Sequence, residues 1–109
     1  MSLREQILES KDLSKEKVYV KEWKTTVYLK SFSMADRIEL EESFKPDDKD
    51  SIVRILIIAL VDQNGNRIFT SEDLEALKQK SPKVLLRLFN KAMKLNAMTN
   101  EDIEDLSKN

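Results

Sequence analysis

The chain of 109 residues carries 19 Lys plus Arg against 20 Asp plus Glu, a formal net charge of -1. No strong electrostatic pull toward nucleic acid or anionic lipid follows from that balance. Charged residues make up 36% and apolar ones 40%, enough for one small core under a heavily solvated surface. Histidine and cysteine are both absent, which excludes disulfides, zinc sites built on those ligands, and any mechanism using a His base or a thiol nucleophile.

The opening Met1-Ser2-Leu3-Arg4-Glu5-Gln6-Ile7 has no basic region followed by an apolar core, so no signal peptide is expected there. Ser2 and Glu5 stand at capping-box spacing and predict a short helix over 2–10. Leu3, Ile7 and Leu8 share one face of it, and a helix so short holds only if that face docks. Lys17-Val18-Tyr19-Val20-Lys21 alternates, as does Thr25 to Phe32, which predicts a hairpin turning at Glu22-Trp23-Lys24. Val18, Val20, Val27 and Leu29 fall on one face and Tyr19 and Tyr28 on the other. A lone hairpin is marginal in water, so helices must cover it.

From Ser33 the period becomes helical: Ser33 is a good N-cap, Asp36 suits the positive end of the dipole, and Ile38, Leu40 and Phe44 follow. Pro46 with Asp47, Asp48 and Asp50 ends that helix. The run Ile52 to Val61, with Arg54 inside it, is the longest apolar stretch. As a helix it reaches about 15 Å, half of what a bilayer needs, so it is a buried segment and not a membrane span. Its β-branched content suits a strand as well as a helix; the preceding acids and Ser51, and its length, favour a helix. Asp62-Gln63-Asn64-Gly65-Asn66 is a turn, and Arg67-Ile68-Phe69 a short extended piece. Thr70 caps the next helix, with Phe69 stapled onto Leu74. Ser81-Pro82 opens another that runs to Leu95 with Val84, Leu85, Leu88, Phe89, Ala92 and Leu95 on its apolar face. Met98-Thr99-Asn100-Glu101-Asp102-Ile103 repeats the staple and cap before a final acidic helix. The expected fold is α+β and mostly α: a single domain over 1–109, with an N-terminal helix and β-hairpin at 1–31 packed on a body of about five to six short helices at 33–106.

The residues that could carry chemistry do not assemble into a reactive constellation. Asp62 to Asp73 imitates a calcium loop, yet the sixth position, which needs glycine, holds Arg67. Paired carboxylates can hydrolyse, but those of Asp36 to Glu42 and Asp47 to Asp50 lie in runs that read as solvated helix face and loop. Gly65 is alone, so no phosphate-cradling loop exists. No catalytic, cofactor or metal residue is expected. Two groups stand out as partner contacts. Lys83, Arg87, Lys91 and Lys94 form a basic stripe along the penultimate helix, with no aromatic interleaving; a solvated face partly paired with the acidic last helix is the plainer reading, contact with an acidic protein the next, and nucleic acid is disfavoured. Trp23, Tyr19 and Tyr28 are the hairpin aromatics, read either as packing against the N-terminal helix or as exposed anchors for a protein partner.

Ser2-Leu3-Arg4-Glu5-Gln6-Ile7-Leu8, the Val-rich strand, Glu22-Trp23, Ser33-Met34-Ala35-Asp36-Arg37, Leu60-Val61-Asp62, Asn64-Gly65-Asn66-Arg67-Ile68-Phe69, Asp73-Leu74-Glu75-Ala76-Leu77 and Leu95-Asn96 together resemble the tail assembly chaperones of long-tailed bacteriophages and prophages. The resemblance spans nearly the whole chain and rests on no single diagnostic motif. Lys24 departs from it, standing where relatives often have glycine. The resemblance implies a non-catalytic protein of the bacterial host cytoplasm, absent from the finished virion. Such a protein binds the helical, apolar tape measure protein, keeps it soluble, and helps recruit tail tube subunits. It also implies that a longer product can arise by ribosomal frameshift; the closing Ser107-Lys108-Asn109 is compatible with a slippery A-AAA-AAC, and reading the gene decides this. Self-association is left open, since no heptads are present. An apolar groove would suit a helical client, and the last two helices with the hairpin aromatics are the expected contact face. The rival reading is an unrelated intracellular adaptor or regulatory domain, linked to nucleic acid through the basic stripe.

Overall fold

A computed structural model of the chain describes residues 2–98 and 100–106. The elements run α1 (Leu3–Glu9), β1 (Lys15–Val20), β2 (Thr25–Lys30), α2 (Met34–Ser43), α3 (Ser51–Ala59) and β3 (Leu60–Val61). A 3-10 turn (Ser71–Asp73) then leads into α4 (Leu74–Leu77), followed by α5 (Pro82–Leu95) and α6 (Asn100–Leu106).

The alternating residues build an antiparallel hairpin in which Val18 opposes Val27 and Glu16 opposes Leu29. β3 adds antiparallel to β2, with Leu29 opposite Leu60, so the sheet order is β1-β2-β3. Val18, Val20, Val27, Leu29 and Leu60 all face the main core, where they meet Leu40 of α2, Ile55, Leu56 and Ala59 of α3, and Val84, Leu88 and Ala92 of α5. One face of the sheet is therefore buried under helices and the other carries Lys17, Tyr19, Thr26 and Tyr28, the division the alternation predicts.

The run from Ile52 to Val61 turns out to be both helix and strand. α3 ends at Ala59 and the chain passes at Leu60 into extended backbone (φ -80°, ψ 119°) to become β3. A smaller cluster of Val53, Ile57 and Leu77, with Phe69 and Leu74 against it, lies on α3's far side. An α3 buried on both sides explains an apolar stretch without helical periodicity.

Local chemistry sets the helix ends. The N–H of Asp36 donates to Ser33 Oγ at 3.1 Å and that of Ser33 to Asp36 Oδ2 at 3.0 Å, a reciprocal cap. Thr70 and Asp73 form the same arrangement before α4, and Phe69 and Leu74 both pack against the cluster of Val53, Ile57 and Leu77. α5 closes with Met98 N–H donating to Met93 O at 2.9 Å and Ala97 N–H to Lys94 O at 3.1 Å, with Ala97 at φ +51°. In the second staple, Met98 and Ile103 both pack on the main core; Thr99, its expected cap, lies outside the described residues.

Two elements differ from expectation. α1 forms, capped by Ser2, yet its apolar face is left uncovered by the described residues: Leu3, Ile7 and Leu8 are 71%, 62% and 66% exposed. The hairpin aromatics therefore do not pack beneath it. α2 buries Asp36, Leu40 and Phe44, which follow one another at helical i, i+4 spacing, and leaves Ile38 exposed because two residues turn it about 200° away. The result is an α+β, mostly helical domain.

Candidate functional site

Polar residues that invited a chemical reading are committed to structure. Asp62 Oδ1 accepts from the N–H groups of Asn64 (2.9 Å) and Asn66 (3.0 Å), which makes it the organiser of its own turn. Arg67, the cation that spoils the calcium pattern, forks onto α2: Nη1 donates to Glu39 at 2.8 Å and Nη2 to Asp36 Oδ1 at 2.9 Å. Asp36 also meets Lys30 Nζ at 2.9 Å, so this buried carboxylate joins the end of β2, the start of α2 and the segment after β3. Burial pushes its pKa up, but Lys30, the Ser33 N–H and Arg67 outweigh that and hold it below the ordinary 3.8. Asp48 accepts from Arg54 Nε at 2.7 Å and from the Asp50 N–H at 2.9 Å. Among the described residues, no cluster of three or more acids is arranged to hold a metal ion.

The basic stripe is not uniform. Arg87 is drawn to the hairpin tip, donating to Glu22 Oε1 at 2.5 Å and Oε2 at 3.1 Å. Hydrogen bonding to Arg87 lowers the Glu22 pKa from its usual 4.5 to about 2. Lys83 and Lys94 are exposed and Lys91 is half-buried.

The aromatics separate. Tyr19 stands 64% exposed on the outer sheet face, and Tyr28, half-buried on the same face, has Lys15 Nζ 5.3 Å from its ring centre. Trp23 goes elsewhere. The hairpin turns through 21–24, with Trp23 N–H donating to Val20 O at 3.1 Å and Lys24 N–H to Lys21 O at 3.2 Å. Lys24 sits at φ +52°, the left-handed conformation that glycine adopts freely. This turn lays Trp23, half-buried, against the main core. There it forms a wall of a mostly apolar groove of about 380 Å³ shared with Phe69, Asp73, Ala76, Leu77 and Lys80.

Sequence reading missed this groove. It singled out Trp23, yet the opposite wall is α4 and Phe69, not the last two helices. In the sequence Phe69 stands out only as a staple residue, and Ala76 and Leu77 only as part of the family pattern. The groove is open and rimmed by one acid and one base, Asp73 and Lys80. It offers mostly apolar contact area on the surface.

The chain belongs to the phage tail assembly chaperone family, whose sequence model matches residues 2–109. The solved structure of the bacteriophage HK97 tail assembly chaperone has the same fold, with a TM-score of 0.64 and 22% identity over 89% of this chain and 96% of that one. No curated protein sequence matches. Among the described residues, no helix is long and apolar enough to cross a membrane.

Proposed function

We propose that this tail assembly chaperone binds the tape measure protein in the bacterial cytoplasm through the groove under the hairpin tip. It keeps that client soluble and brings tail tube subunits to it, and it does not remain in the mature virion. The observation that carries the reading is the mostly apolar groove between Trp23 and α4, open to solvent. A long, helical, apolar client presents successive amphipathic segments, and a shallow groove lined by an aromatic, a Phe and small or aliphatic side chains accepts such segments without demanding one sequence. Asp73 and Lys80 at its rim contact polar residues flanking the apolar stripe.

Ala76 is the position to test, because it lines the groove yet is exposed, so a larger polar side chain there changes the groove and not the core. On co-expression, the wild-type chaperone should raise the soluble yield of the tape measure protein and Ala76→Glu should not, with unfolding by urea unchanged within about 0.5 kcal/mol. Equal soluble yields with the two proteins would overturn the assignment. Tyr19, Lys83, Lys91 and Lys94 stay as secondary contacts in this reading, at the edge of the client path.

A further inference from the structure

Two different forces hold the hairpin tip. Trp23 rests on the main core by packing, whereas its neighbour Glu22 is held by charge, both carboxylate oxygens accepting from the Arg87 guanidinium. A forked pair of this kind fixes direction as well as distance. Its base is rigid, because α5 is anchored by buried Val84, Leu85 and Leu88 on either side of Arg87. The tip it holds is a short turn with Lys24 in left-handed backbone, a conformation that a non-glycine residue keeps only when its surroundings impose it.

Resting on the groove as the client site, we propose that Glu22 and Arg87 are positioning residues whose ion pair holds Trp23 in place as a groove wall. Arg87 then acts through the hairpin and does not touch the client, which separates it from the lysines of its own stripe. The client class is unchanged, an apolar amphipathic segment. Its affinity depends on the clamp because a wall that swings away must be returned before each contact forms.

Trp23 is the only tryptophan in the chain, so its fluorescence reports the groove wall directly. In the absence of client, Glu22→Gln, Glu22→Arg and Arg87→Glu should each move Trp23 emission to the red and raise its quenching by acrylamide. The same three variants should lower co-expressed soluble tape measure protein several-fold. The double exchange Glu22→Arg with Arg87→Glu should restore both readouts. Arg87→Lys, which keeps the charge and loses the fork, should fall between. Glu22→Gln is nearly isosteric, and its far-UV circular dichroism should match the wild type, so that a change at Trp23 is not read from an unfolded chain. Single variants with wild-type emission and quenching, or a double exchange that restores neither, would overturn the clamp regardless of Ala76→Glu. A responsive Trp23 with client yield unmoved in these variants and in Ala76→Glu would overturn the groove itself.

Discussion

Asp36 shows how one side chain can set the relation of three segments. It caps α2, meets Lys30 at the end of β2 and accepts from Arg67 after β3, while only 5% exposed. Asp36→Asn keeps the shape but removes the charge, leaving Lys30 without its carboxylate and Arg67 with Glu39 alone. It should destabilise the chain by about 1–3 kcal/mol at pH 7 in urea unfolding. The carboxyl is held below 3.8 in the folded state, so its stabilisation is present above that pH and lost as pH falls through the folded value. The gap between wild type and Asp36→Asn should therefore narrow below about pH 4; a constant gap would show that the charge contributes nothing. Backbone at Ala97 and Lys24 gives a second expectation. Both occupy left-handed conformations, at φ +51° and +52°, and Ala97 stands in the helix-ending position that favours glycine. Ala97→Gly and Lys24→Gly should each raise stability by about 1 kcal/mol, read as higher urea midpoints.

Among the elements, α1 is capped by Ser2 but buries none of its residues against the rest of the described structure. Seven residues with Leu3, Ile7 and Leu8 exposed lack the packing that normally sustains so short a helix. In the isolated protein its amides should exchange almost as fast as in an unfolded peptide, while those of α3 and α5 are strongly protected. Slow exchange in α1 at low concentration would mean that a contact holds it. The elements were legible in the sequence in proportion to how simple their burial is. β1 and β2 bury one face each and alternate cleanly. α5 follows Pro82 and buries one wide stripe. The Ile52 to Val61 run resisted assignment because it is buried on two sides and changes conformation at Leu60. Ile38 lies off the buried side because apolar character alone does not say which side of α2 faces in; Asp36, Leu40 and Phe44 define that side.

At the scale of the molecule, the sheet's buried face and the helices over it form the body, the hairpin tip is held onto that body through Trp23 and Glu22, and α1 leaves its apolar residues exposed. The radius of gyration is 14.8 Å, above the roughly 13 Å of a compact domain of this length. The family was legible from the pattern of motifs along the chain, but the groove was not. Trp23 is far in sequence from Phe69 and Ala76 and meets them only through tertiary packing, as Glu22 meets Arg87. No local period or spacing encodes such a meeting. The absence of His and Cys narrows the sequence to a binding or structural domain, and Trp23 is the groove residue whose prominence in a charged hairpin the sequence displays.

Titrating the purified chaperone with purified tape measure protein while following Trp23 emission tests the groove most directly. A saturable shift of the emission to the blue is expected as the client covers Trp23, absent in Ala76→Glu. A client that co-purifies with the chaperone while Trp23 emission stays where it was would contradict binding in this groove.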